Sequence, residues 1–70
     1  MNRQELGKII QSRRKELKIT QIDLALIAEI STKQLSNIEQ GKVSTTIDML
    51  SKLCETLGFS IELKLKGANR

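Results

Sequence analysis

The chain has 70 residues, no histidine and a single cysteine, Cys54. It is therefore expected to form one small domain with no intrachain disulfide, no zinc site built from cysteine and histidine, and no other metal or cofactor. The net charge is +4, from 12 basic and 8 acidic side chains, which is compatible with a nucleic-acid partner and equally with an ordinary solvated surface.

No segment of the sequence predicts contact with a membrane. The longest apolar run, residues 24–28, is far too short to cross a bilayer. The chain also opens without the basic and then apolar segment of a secretory signal. These features predict a cytoplasmic protein with no membrane partner.

Four helix starts are indicated by a capping side chain that is followed three residues later by an acid or an amide. The pairs are Asn2 with Glu5, Thr20 with Asp23, Ser31 with Gln34, and Thr45 with Asp48. Each pair precedes a run of apolar residues at helical spacing. The predicted helices span about 3–17, 21–28, 32–40 and 46–57.

The second and third predicted helices are joined by only about residues 29–31. Two short helices joined so closely must cross steeply, which is the helix-turn-helix arrangement. Leu24, Ala25, Ile27 and Ala28 of the second helix are expected to face inward. Gly41 is placed to end the third helix as a left-handed cap.

The outward face of the third predicted helix is polar without being densely charged. Lys33, Ser36, Asn37 and Gln40 recur at helical spacing, and Thr32 lies beside them. Such side chains can read base edges in a DNA major groove, where Asn and Gln match adenine and Lys matches guanine. An ordinary exposed helix face is the alternative on these residues alone.

The C-terminal residues 59–66 have a different pattern, in which apolar and polar residues alternate as in a strand with one buried face. The sequence supplies no second strand, so the simplest partner is the same strand of a second copy, antiparallel across a two-fold axis. A strand lying on its own helices is the alternative. The predicted dimer interface comprises Met49, Leu53, Phe59, Ile61, Leu63 and Leu65.

The stretch ITQIDLALIAEISTKQLSNIEQGK, residues 19–42, resembles the DNA-binding core of Xre-type regulators, the Cro and phage-repressor kind of helix-turn-helix protein. The matching residues are Thr20, Gln21, Leu24, Ala25, Ser31, Ile38, Glu39 and Gly41. The resemblance implies a structural ion pair between Arg14 and Glu39. It implies base contacts from Thr32, Lys33, Ser36 and Asn37, and phosphate contacts from Gln21, Gln40, Lys42, Ser44, Thr45 and Thr46.

Two positions depart from the family pattern, because Lys18 and Glu29 stand where glycine is common. If these residues are left-handed, each costs about 1 kcal/mol. A slight distortion of the turn between the second and third helices is therefore expected.

The fold class predicted is mainly α: a four-helix, repressor-like helix-turn-helix domain covering residues 1–70, with a C-terminal strand that pairs across a homodimer. The predicted function is a repressor that binds a palindromic operator in double-stranded DNA and so associates with the nucleoid. The architecture also resembles HipB-type antitoxins, which leaves as an alternative an antitoxin that binds a kinase-like toxin and autoregulates its operon.

No convergent acid/base or nucleophile set is present, so no enzyme is predicted. Cys54 is interpreted as a core residue.

Overall fold

The computed structural model describes residues 1–67, so the predicted frayed tail at 68–70 lies outside the described residues. Four helices follow one another in the described chain: α1 (Arg3–Glu16), α2 (Gln21–Ile27), α3 (Thr32–Glu39) and α4 (Ile47–Leu57). The sequence-based bounds differ from these by one residue at most. None of these helices combines the length and the apolar character that crossing a membrane requires.

Each helix begins at a residue whose backbone is extended and whose side chain accepts a hydrogen bond from the first turn, as N-cap residues do. Asn2, Thr20 and Ser31 occupy the predicted positions. The prediction for the fourth helix was wrong by one residue, because Thr46 rather than Thr45 accepts from the N–H of Met49, at 3.1 Å.

All four helices end in the same hydrogen-bonded turn. A left-handed residue follows the helix, at Lys18, Glu29, Gly41 and Gly58. The next residue then donates its N–H to the carbonyl five positions back, a Schellman arrangement. At Glu29 this bond runs from Ile30 to Ala25 at 3.0 Å, the same length as the bond from Lys42 to Asn37 after Gly41. The expected distortion is absent from these bonds, and the cost falls on the backbone of Lys18 and Glu29 instead.

The core lies between α1 and α2 on one side and α3 and α4 on the other, since α3 and α4 each pack against both α1 and α2. Gly7 allows α1 to approach α3 closely, because a Cβ atom at Gly7 would lie 2.6 Å from the carbonyl oxygen of Glu39. The buried apolar cluster comprises Ile10, Leu24, Ala25, Ala28, Leu35, Ile38, Leu53 and Leu57.

Ile27 and Leu53 lie elsewhere than expected. Ile27, predicted to face inward, is exposed, because α2 makes its core contacts through Leu24, Ala25 and Ala28. Leu53, predicted in the dimer interface, is 0% exposed within a single chain and belongs to that chain's own core. It cannot contact a second copy unless the domain opens.

Residues 59–65 follow α4 without regular secondary structure in the described chain. Phe59 and Ile61 lie against the domain, at 38% and 43% exposure, whereas Leu63 and Leu65 are 98% and 82% exposed. A strand needs a hydrogen-bonded neighbour, and residues 1–67 of one chain provide none. Pairing with a second copy remains a prediction.

Candidate nucleic-acid interface

The outer surface of α3 carries polar side chains that the protein does not cover. Thr32 and Lys33 are exposed, and Ser36 and Asn37 are partly exposed, while Leu35 and Ile38 on the opposite side are buried. The four predicted base-reading residues therefore share one accessible face of α3, a helix of 8 residues.

The same surface carries no uncompensated carboxylate. Glu39 is the only acid between Glu29 and Asp48, and it is 4% exposed. The guanidinium of Arg14 binds it with two hydrogen bonds, from Nε to Oε2 at 2.7 Å and from Nη2 to Oε1 at 3.0 Å. The predicted ion pair between Arg14 and Glu39 is thus present, and the exposed charges of α3 and the following turn are the cations Lys33 and Lys42.

Gln21, at the start of α2, is fixed by a contact that the sequence did not reveal. Its Nε2 donates a hydrogen bond to Oε1 of Glu39 at 2.9 Å. A primary amide carries two N–H donors, so the second remains available to an anion outside. The bond joins positions 18 apart in the chain, and neither periodicity nor a local motif signals it.

Ser36 and Gln40 interact on the surface of α3. The Nε2 of Gln40 donates to Oγ of Ser36 at 2.8 Å, one helical turn apart. The two side chains therefore orient each other, although the sequence analysis assigned them separate roles.

The loop after α3 folds back beside the helix. Ser44 and Val43 line a shallow groove of about 210 Å³ together with Gln34 and Asn37. Ser44, predicted to contact phosphate, is thereby brought next to a predicted base reader. Val43 is an exposed apolar neighbour of Asn37 that the sequence did not single out.

The remaining predicted phosphate contacts lie between this groove and α4. Thr45 is partly exposed, and its hydroxyl donates to the carbonyl of Thr46 at 3.3 Å. Thr46 is exposed and caps α4. Met49 lines the α3 groove and packs against the core. Met49, predicted in the dimer interface, is therefore partly covered by its own chain.

The model of the family described as "Helix-turn-helix" matches residues 10–64 of this chain. The matched segment contains α2 and α3 and the turn between them, together with Glu39 and its partner Arg14. The protein belongs to the Xre-type helix-turn-helix family.

Similar proteins include two regulators. The uncharacterized HTH-type transcriptional regulator y4mF of Sinorhizobium fredii is 29% identical over 66 residues, which cover 94% of this Xre-type chain and 87% of the relative. Two crystal structures of the clp gene regulator ClgR from Corynebacterium glutamicum superpose with a TM-score of 0.80. Their identities are 31% and 30%, and the matches cover 83% and 84% of this chain. This chain spans 62% of the length of one ClgR chain and 76% of the other.

A second groove of this Xre-type domain, lined mainly by apolar residues, lies beside the C-terminal segment. Phe59 and Ile61 line it with Leu6, Ile9 and Leu50, and its volume is about 370 Å³. Arg13 fixes the start of this segment, because its Nε donates to the carbonyl of Leu57 at 2.9 Å.

The described residues of this domain contain no group of three or more side chains that could hold a metal ion. Cys54 is buried beside the second groove, and burial raises the pKa of its thiol above the ordinary value of 9.0. A thiol held neutral in this way is a packing group rather than a reactive one.

Proposed function

We propose that this protein is a transcriptional repressor that binds a palindromic operator in double-stranded DNA as a homodimer. The observation that supports it best is the α3 face, which combines exposed hydrogen-bonding side chains with a buried and compensated carboxylate. The similarity to y4mF, named as a transcriptional regulator, and to ClgR, named as a clp gene regulator, points the same way.

In this proposal α3 enters the major groove. Lys33 donates to guanine O6 or N7, and the amide of Asn37 matches N6 and N7 of adenine. Thr32 and Ser36 flank them with hydroxyl groups, which suit several bases. A carboxylate on this face would repel the phosphates on either side of the groove, and the burial of Glu39 removes that cost.

Contacts to phosphate would position α3 without reading sequence. Gln21 offers its second amide N–H, oriented by the bond to Glu39. Lys42 supplies a cation directly after α3, and Gln40 supplies an amide. Ser44, Thr45 and Thr46 add hydroxyl and backbone donors in the loop before α4.

The homodimer would place two α3 helices at a fixed separation. Leu63 and Leu65 leave apolar surface uncovered in one chain, and burial of such surface favours association. If the two α3 helices lie about 34 Å apart, they meet successive major grooves on one side of the duplex. A dimer bound in this way blocks access of other proteins to the site, which is the simplest form of repression.

Selection of duplexes from a random pool by the full chain tests this proposal. We expect enrichment of an inverted repeat with half-site centres about 10 base pairs apart, and protection of both halves in a footprint. Recovery of unrelated sequences, or binding that responds only to salt, would contradict sequence-specific recognition. A footprint on the DNA upstream of the protein's own gene then tests for an operator there, and transcription from that promoter with and without the protein tests repression.

A second candidate function, an antitoxin that binds a kinase-like toxin, is favoured by one surface feature. Ile22 and Leu26, one turn apart on α2, are largely exposed and lie outside the predicted base-reading and dimer sets. Replacing both by serine should abolish copurification of a toxin from the native host while leaving operator binding intact. A native-host preparation that contains no stoichiometric partner would contradict this candidate.

A further inference from the structure

The C-terminal segment is half covered and half uncovered by its own domain. Phe59 and Ile61 line the apolar groove next to α1 and α4, whereas Leu63 and Leu65 extend beyond it into solvent. A second copy of the same segment could cover this uncovered part, because it carries the same alternation of apolar and polar residues.

Building on the homodimer of the proposed function, we propose that the two C-terminal segments pair antiparallel with Leu63 on the two-fold axis. Ile61 then lies opposite the partner subunit's Leu65, and Glu62 lies opposite the partner subunit's Lys64. The two-fold axis repeats both pairs, so the ribbon contains two Glu–Lys pairs on the face opposite Ile61 and Leu65.

Charge selects this register over its neighbours. An axis through Glu62 sets two carboxylates directly opposite each other, and an axis through Lys64 does the same with two ammonium groups; both arrangements are unfavourable. An axis through Ile61 leaves Leu65 opposite Leu57, which is inside α4 and unable to pair. Shifting one strand by a single residue turns its apolar side chains to the polar face.

The same register fills the uncovered groove. Ile61 forms part of the groove wall together with Leu6, Ile9 and Leu50, and the partner subunit's Leu65 lies directly across the ribbon from Ile61. Leu65, which is exposed in a single chain, therefore lies at the apolar groove of the partner subunit. Each copy covers its partner in this way, which makes the contact reciprocal, as a two-fold interface requires.

Reversing single charges tests the register. Glu62→Lys and Lys64→Glu each set like charges opposite each other at two places, and we expect each to weaken the homodimer by about tenfold or more in sedimentation equilibrium. An equimolar mixture of the two variants should dimerise as well as wild type, because every cross-strand pair is again of opposite sign. Lys66→Glu is the matched control, since position 66 lies opposite the partner subunit's Ser60, and it should leave dimerisation unchanged. No recovery in the mixture would overturn the register.

Crosslinking separates failure of the register from failure of the dimer. Opposite residues of an antiparallel pair have Cα atoms about 4.5–5.5 Å apart, within reach of a disulfide. Leu63→Cys should therefore crosslink to itself under mild oxidation, and Glu62→Cys and Lys64→Cys should not; wild type, with Cys54 buried, serves as the blank. A dimeric protein that crosslinks at Glu62→Cys or Lys64→Cys instead overturns the register alone. A wild-type chain that is monomeric at tens of micromolar overturns the proposed homodimer as well.

Discussion

Gln21 and Arg14 bind the same carboxylate oxygen, Oε1 of Glu39, at 2.9 and 3.0 Å. Because these residues belong to α2, α1 and α3 respectively, one buried carboxylate joins the three helices that set the orientation of the polar α3 face. The contact links the three helices and at the same time orients a side chain, Gln21, that we propose to bind phosphate.

Replacing Arg14 by methionine should destabilise the domain strongly. Glu39 would be left buried with no cationic partner, and breaking a buried pair in this way typically costs about 3–5 kcal/mol. Chemical denaturation followed by circular dichroism measures the loss. Arg3→Met, which changes the same residue type at an exposed site of α1, is the control and should change stability little.

The double replacement Arg14→Met with Glu39→Met is the informative companion. It removes both charges together, so it should be clearly more stable than Arg14→Met alone. Equal stability of the single and the double variant would mean that the unpaired carboxylate is not the source of the loss.

Gly7→Ala should destabilise the protein although alanine is the better helix former. In an exposed helix the change would gain about 0.5–1 kcal/mol. Here the new Cβ would lie 2.6 Å from the carbonyl oxygen of Glu39, so α1 and α3 would have to separate. Ser12→Ala at an exposed position of α1 is the matched control. A higher melting temperature for Gly7→Ala would contradict the close packing of these helices.

Lys18→Gly should raise stability because Lys18 is left-handed, with φ of 58°. Glycine adopts this conformation without the side-chain penalty, and after its greater freedom in the unfolded chain is subtracted, about 0.5 kcal/mol should remain. Lys15→Gly, within the regular part of α1, should instead lower stability by about 1 kcal/mol. Thermal unfolding of the two variants under identical conditions makes the comparison, and a loss in both would exclude backbone strain at Lys18.

Local signals in the sequence were sufficient to place the helices, since capping side chains and apolar spacing act within a few residues. They were insufficient for Leu53 and Met49, because a wide apolar arc on α4 does not say which part of it the chain's own core will use. Leu53 packs in that core, and Met49 lines the groove beside Asn37.

The same limit explains Gln21 and Glu29. The bond from Gln21 to Glu39 spans 18 positions and exists only once α2 and α3 are packed. At Glu29 the sequence indicated a departure from glycine, and the tertiary packing of the two helices keeps the left-handed turn in spite of it. The fold, the outward face of α3 and the pair between Arg14 and Glu39 were thus accessible from sequence, whereas the contact of Gln21 with that pair was not.

The free energy of unfolding should fall more steeply with rising alkaline pH in the wild type than in a variant that lacks the Cys54 thiol. Burial raises its pKa in the folded state above 9.0, while the unfolded chain keeps the ordinary value. The stability that the buried, neutral thiol contributes is therefore complete below about pH 9 and is lost as pH rises through the pKa of the folded state. Cys54→Ala removes this component, and urea unfolding of both proteins between pH 8 and about 10.5 compares the slopes. Parallel slopes would show that the thiol titrates alike in both states.

Lys33 and Asn37 should differ from Lys42 in what their loss does to DNA binding. Removing a side chain that contacts a base edge costs about 1–3 kcal/mol on the selected operator and relaxes the preference at particular base pairs. Removing a phosphate contact weakens every sequence alike and lowers the slope of log affinity against log salt by about 1. We therefore expect Lys33→Ala and Asn37→Ala to reduce the ratio of specific to non-specific affinity, and Lys42→Ala to preserve it.

Fluorescence anisotropy on the selected operator and on scrambled duplexes, each at several salt concentrations, measures both quantities. Lys52→Ala is the matched control, because Lys52 is an exposed lysine of α4 whose ammonium lies 3.4 Å from the carboxylate of Glu29 rather than on the α3 face. It should change neither quantity appreciably. If Lys33→Ala and Asn37→Ala weaken scrambled duplexes as much as the operator, these two residues do not read bases, and the polar face of α3 contacts only the backbone.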